Sequence, residues 1–186
     1  MKRIFDLLLV ALISPLLAVP ALVVAIIVHF TSSGPVLYWS NRMGRNNVIF
    51  CMPKFRTMFV ETPVVATHLL SRSGQHLTPV GSFLRKSSLD ELPQLWSILI
   101  GDMSFVGPRP ALFNQDDLIA LRVQHGIHRL MPGLTGWAQV NGRDDLSILL
   151  KVQYEAEYLK RQSFFFDLKV LGMTLLKVVR QAGVSH

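Results

Sequence analysis

Residues 7–28, LLLVALISPLLAVPALVVAIIV, hold no charged side chain, and their reading decides what kind of fold the chain adopts. At ~1.5 Å of rise per residue, a straight helix of this length would cross the ~30 Å hydrocarbon core of a bilayer. Two features oppose a simple crossing. Pro15 has no N–H to offer the carbonyl of Ala11 and its ring crowds that carbonyl, so the helix is expected to bend at Ser14-Pro15; Pro20 can repeat the effect. Positive charge also flanks the run on both sides, with Lys2 and Arg3 before it and Arg42, Arg45, Lys54 and Arg56 after it. Lys and Arg collect on cytoplasmic flanks, so both ends are expected on the cytoplasmic side. A re-entrant membrane helix over residues 1–34, broken at Ser14 and Pro15, meets both conditions, with the Ser14 hydroxyl available to backbone groups freed by the proline. A helix that truly spans is the alternative. A signal peptide fits poorly, because Pro20 stands where cleavage would be sought and no Ala-x-Ala site follows.

Residues 35–186 are expected to form one cytoplasmic, membrane-associated domain, and the whole chain an α+β, mostly helical fold. Half of the 186 residues are hydrophobic and the mean hydropathy is +0.37, high for a wholly soluble protein, so part of the surface should meet lipid. Nineteen Lys and Arg against 12 Asp and Glu leave a net charge of +7, which favours phosphorylated substrates, acidic headgroups or nucleic acid as partners. The single cysteine, Cys51, excludes an internal disulfide and a Cys-rich metal site; it fits a reducing compartment and reads as a buried, inert thiol. Val36 to Asn41 and Val48 to Phe55 read as a short β-hairpin, weakened near its end by Pro53. Leu92 to Ile100 and Asn114 to Gln124 read as helices. Gly107-Pro108-Arg109-Pro110 cannot be helical and holds Arg109 on a stiff turn. Pro132 to Gly136 reads as a loop. A helix opening at Ser163 places Asp167, Thr174, Lys177 and Gln181 on one face, a pattern suited to lying flat in a membrane interface.

The stretch Ser87 to Gln94, SSLDELPQ, sets Asp90 and Glu91 side by side in this basic chain. Locally it reads as a capping box between Ser88 and Glu91, with Asp90 decorating a first helical turn. Lys54, Arg56, Arg85, Arg109 and Arg143 stand in or beside turn-rich segments, where side chains from separate elements can converge on one anionic ligand. Magnesium would reconcile the signs: Mg²⁺ is held by one or two carboxylates, here Asp90 and Glu91, together with substrate phosphate oxygens, while guanidinium groups take the remaining phosphate charge. A carboxylate can also attack phosphorus itself. Neither a Walker loop nor G-x-G-x-x-G is present.

Four segments carry a resemblance: Lys54-Phe55-Arg56-Thr57-Met58; Leu84-Arg85 through Asp90-Glu91 to Leu95; Gly101 to Pro110, GDMSFVGPRP; and Pro132 to Arg143, PGLTGWAQVNGR. In this order they resemble the bacterial sugar transferases, the small monotopic phosphoglycosyl transferases that start glycoconjugate assembly on polyprenyl (undecaprenyl) phosphate. The resemblance runs from Ser14-Pro15 almost to the C-terminus. It implies a re-entrant helix in the bacterial inner membrane, a cytoplasmic head with interfacial helices, and Mg²⁺ as cofactor. It implies Asp90 as a nucleophile that takes the phosphosugar from a UDP-sugar, expels UMP and passes the group to polyprenyl phosphate, with Glu91 as the second member of the pair. Arg85 and Pro108-Arg109-Pro110 match positions associated with the active site, and Asp167 matches an acidic position of the family. Ser40, Asn47, Ser97 and Glu155 depart from the family's frequent Gln, Gly, Asn and Asp. The sugar and the pathway are not legible here, nor is the oligomeric state. Two other readings stay open: a membrane-bound nucleotide-sugar hydrolase, and a non-catalytic basic module on acidic lipid. No nucleic-acid motif supports a partner of that class.

Overall fold

The computed structural model describes residues 2–63, 73–142 and 145–180; Arg143 and Gln181 lie outside them. Its first element, α1 (Lys2–Thr31), stays helical through Pro15 and Pro20, so neither proline ends the element. The head fastens both of its ends. Val10 joins the main core with Ile98, Met103, Phe105, Tyr158 and Val170, and Val24 and Val28 join Phe55 and Leu84 in a second cluster. Between these anchors Leu12, Leu16, Val19 and Leu22 are 62–76% exposed. Each would cost about 1.5–3 kcal/mol if left in water rather than buried, so a lipid phase is the environment that this stretch suits.

The hairpin forms as expected from β1 (Leu37–Met43) and β2 (Ile49–Phe55), antiparallel with Ser40 opposite Met52 and Asn41 opposite Cys51. Asn46 and Asn47 turn the chain at positive φ, 56° and 61°, a region asparagine tolerates better than most residues. Pro53 is accommodated because a two-stranded sheet leaves each strand a free edge. Cys51 corrects an expectation: strand alternation sends Met52 inward and Cys51 outward, so the thiol is exposed.

After α2 (Gly81–Ser87), Ser88 adopts a left-handed conformation at φ 57° and closes that helix, so its side chain makes no cap bond and the expected capping box does not form. Residues Leu89–Glu91 make one 3₁₀ turn, and α3 (Gln94–Ile100) begins only after Pro93, two residues later than expected. Proline's fixed φ and missing N–H suit it to a helix start.

Two strands absent from the sequence reading, β3 (Ser104–Val106) and β4 (Gly133–Thr135), pair in parallel, with α4 (Asp116–Gln124) on the crossover between them. The backbones approach so closely around them that a Cβ on Gly107 would lie 2.2 Å from the Met131 carbonyl oxygen, and one on Gly136 2.0 Å from that of Gly107. The short α5 (Trp137–Val140) follows β4. Then come α6 (Ile148–Arg161), which sequence reading left unassigned, and α7 (Phe164–Arg180). On α7, Asp167 and Val170 are buried and the Thr174 hydroxyl meets that of Thr135 at 2.7 Å. Phe165 and Leu175 face outward, 80% and 68% exposed. Asp167 and Thr174 of the polar stripe therefore point into the head and apolar side chains face outward, which is the orientation an interfacial helix needs.

Candidate active site

Asp90 occupies the 3₁₀ turn between α2 and α3 and is only 6% exposed. Glu91 follows it on the same turn and accepts from Arg109 Nη2 at 2.6 Å. Arg109 reaches it from the stiff turn after β3, where Gly133 N–H donates to the Pro108 carbonyl at 2.9 Å. Arg85, in the last turn of α2, donates from Nε to Thr57 Oγ1 at 3.1 Å. Lys54 arrives from β2, its Nζ 5.9 Å from the ring centroid of Tyr38.

Arg42 completes the cluster and was missed as a site residue. Its Nε donates to Ser40 Oγ at 2.9 Å and its Nη1 to the Pro110 carbonyl at 3.2 Å. Strand periodicity held the signal: Tyr38, Ser40 and Arg42 share one face, and Lys54 opposite Tyr38 lies on it too.

Electrostatics tie these groups together. Burial, then the neighbouring Glu91 charge, push the Asp90 carboxyl up to about 6 against the pull of Lys54, Arg109 and Arg85. Burial and then Arg42 bring Lys54 down to about 8. Burial and then Arg109 bring Arg42 down to about 10, while Tyr38 and Glu91 oppose the shift. Among the described residues four cations thus surround two carboxylates, and the surplus positive charge matches what a diphosphate brings. Adjacent carboxylates, as hard oxygen donors without His or Cys, fit a magnesium ion better than a softer metal. Among the described residues no group of three or more His, Cys, Asp or Glu gathers elsewhere as a metal cage, and Mg²⁺ in phosphate chemistry needs none.

A groove of about 370 Å³ opens beside Glu91 and Arg109, walled by Ile13 and Leu17 of α1 and by Leu171 and Val178 of α7. It is largely apolar, and of the carboxylate pair Glu91 lines it. Two candidate residues serve elsewhere. Arg56, 4% exposed, donates to the Ser32 and Ser33 carbonyls at 2.6 Å each and to Ser32 Oγ at 2.8 Å, so it caps the exit of α1. Asp167 accepts from Tyr158 Oη at 2.6 Å and pairs with Lys2, so it ties α7 to the start of α1.

The chain matches the family described as bacterial sugar transferase over residues 1–181. It is 38% identical over 186 residues to the protein named uncharacterized sugar transferase EpsL of Bacillus subtilis (strain 168), covering 100% of this chain and 91% of that one. It is 36% identical over 185 residues to the UDP-glucose:undecaprenyl-phosphate glucose-1-phosphate transferase of Escherichia coli (strain K12), covering 95% of this chain and 40% of that one. With the undecaprenyl-phosphate galactose phosphotransferase of Salmonella typhimurium it shares 32% over 198 residues, 98% of this chain and 41% of the relative. The chain therefore spans less than half the length of these last two proteins.

Proposed function

We propose that this chain, which belongs to the bacterial sugar transferase family, transfers a phosphosugar from a UDP-sugar to polyprenyl (undecaprenyl) phosphate, releasing UMP and forming a polyprenyl-diphosphate-sugar. The observation that carries this reading is a buried Asp90 beside Glu91, with Arg42, Lys54, Arg85 and Arg109 around them and a largely apolar groove lined by Glu91 and Arg109. The names of the Escherichia coli and Salmonella relatives, which contain the same acceptor, support it.

In this mechanism an Asp90 oxygen attacks the β-phosphorus of the UDP-sugar, the bond to the UMP oxygen breaks, and the phosphosugar is held as an acyl phosphate on Asp90. A phosphate oxygen of polyprenyl phosphate then attacks the same phosphorus, and Asp90 departs as a carboxylate. Arg42, Lys54, Arg85 and Arg109 take up charge on the transferring and leaving phosphates. Asp90 and Glu91 would hold Mg²⁺, which supplies additional neutralisation of phosphate charge when bound. Burial of Asp90 limits water at the acyl phosphate, which favours transfer over hydrolysis.

The same geometry supports a monotopic topology, with residues 1–34 as a re-entrant membrane helix and residues 35–186 as a cytoplasmic head on the inner membrane. Lys2 pairs with Asp167, while Ser32 and Ser33 at the other end of α1 accept from Arg56; one head grips both ends, which a helix with ends on opposite sides of a bilayer would not permit. The groove along α1 would take the isoprenoid chain while the phosphate stays at headgroup level.

The test is incubation of purified protein with Mg²⁺, polyprenyl phosphate and a panel of UDP-sugars, followed by measurement of UMP. Release that depends on the acceptor is expected. Undiminished turnover without acceptor would favour the hydrolase, and no turnover with any sugar would sink the transferase.

A further inference from the structure

The geometry points to Arg122, held by Glu155, as a positioning residue that sets Arg109 against Glu91. The inference rests on the transferase reading, in which Arg109 takes up phosphate charge. Neither residue lies in the segments that define the site: Arg122 is on α4 and Glu155 on α6.

The backbone that carries Arg109 is anchored residue by residue. Tyr158 Oη lies 3.3 Å from the Val106 carbonyl, Gly107 N–H donates to Thr135 at 2.8 Å and Gly133 N–H to Pro108 at 2.9 Å, and Arg42 donates to Pro110 at 3.2 Å. At Arg109 itself the anchor is a buried guanidinium: Arg122 Nη2 donates to the Arg109 carbonyl at 2.9 Å. That guanidinium is held in turn, with Nε on Glu155 Oε2 at 2.8 Å and Nη2 also on Oε1. Arg122 is 7% and Glu155 2% exposed.

Stability alone gives little reason for such a pair, because a buried ion pair is often no better than apolar residues of similar volume. What the pair adds is direction. A planar guanidinium can grip a carboxylate with two nitrogens and still aim an N–H at a carbonyl, which a lysine ammonium or an apolar side chain cannot do. Pro108 and Pro110 restrict the backbone on either side, so fixing the Arg109 carbonyl fixes the peptide plane from which its side chain leaves toward Glu91.

The test compares full-length chains in lipid nanodiscs by acceptor-dependent UMP release and thermal melting. Arg122→Met with Glu155→Met keeps the volume and removes the donor. The double variant is expected to melt near the wild type while kcat falls by about tenfold to a hundredfold, the scale of a displaced catalytic group. Placed in an Arg109→Ala background, the same pair should lower the residual rate by less than about twofold, since residues acting through one group are not additive. Arg122→Lys, which keeps a charge against Glu155 but lacks the fork, supplies the same comparison if the apolar pair does not fold. Wild-type kcat in the folded variants, or losses that multiply with Arg109→Ala, would overturn the inference. A wild-type chain with no turnover would instead count against the transferase reading.

Discussion

Arg109 Nη2 lies 2.6 Å from Glu91 Oε1 across 18 positions of sequence, joining the stiff turn after β3 to the carboxylate turn before α3. In a partly buried site such a charge-assisted bond is shorter and stronger than a neutral one. Arg109→Ala is expected to lower kcat/KM by about a hundredfold or more, as loss of one oxyanion donor does elsewhere. Arg109→Lys should recover only part of this, because lysine lacks the fork. UMP release across a UDP-sugar titration checks both, and a lysine variant at wild-type rate would show that charge alone suffices.

Asp90 is expected to carry the phosphosugar. Intact-protein mass spectrometry with a UDP-sugar and no acceptor should show the adduct in the wild type and none in Asp90→Asn. Turnover with no trappable adduct would argue for direct displacement.

The same substitution should stabilise the fold. A carboxyl raised to about 6 in the folded state, against ~3.9 unfolded, binds its proton more tightly when folded, so ionised Asp90 costs about 3 kcal/mol above pH 6. That cost shrinks as pH falls through 6 and vanishes below the unfolded value. Asp90→Asn should therefore raise Tm more at pH 8 than at pH 4.5; equal gains at both would contradict the buried-charge account.

Lys54 and Asp90 together set the pH profile. Asp90 must be ionised, so kcat/KM should fall as pH drops through about 6; Lys54 must be protonated, so it should fall again as pH rises through about 8. Lys54→Arg should remove the alkaline limb, since a guanidinium stays charged there. An unchanged alkaline limb would assign it to another group.

Arg56 is expected to act on stability. Arg56→Ala leaves the Ser32 and Ser33 carbonyls without this donor and should cost about 2–4 kcal/mol, with KM for the UDP-sugar unchanged in the folded fraction. A raised KM at constant Tm would return Arg56 to the phosphate site.

The membrane path of α1 is tested by a single cysteine introduced ahead of Lys2 in a Cys51→Ser background, labelled in intact cells with an impermeant thiol reagent. The wild-type helix should be protected. Pro15→Ala with Pro20→Leu restores the missing N–H groups and should straighten the helix toward spanning, so that the cysteine becomes labelled. Labelling of both would mean that the wild-type helix crosses the membrane.

Much was legible without coordinates because it depends on neighbours in the chain. The uncharged run from Leu7 to Val28 specifies a long apolar helix, Val36 to Phe55 alternates as a hairpin, and Pro108-Arg109-Pro110 sets a stiff turn. Asp90, Glu91, Lys54, Arg85 and Arg109 were also recognisable, from a motif whose order survives in one dimension. What tertiary structure alone decided is which charges meet. Three-residue strands such as Ser104–Val106 and Gly133–Thr135 are too short to show a period, and their pairing came from close glycine contacts between distant segments. Arg42 entered the site while Arg56 left it for the end of α1, although one lies in the hairpin and the other directly follows it. A side chain's reach is set by strand face and register, and its charge finds a partner through space, where Coulomb interaction and burial take no account of sequence separation.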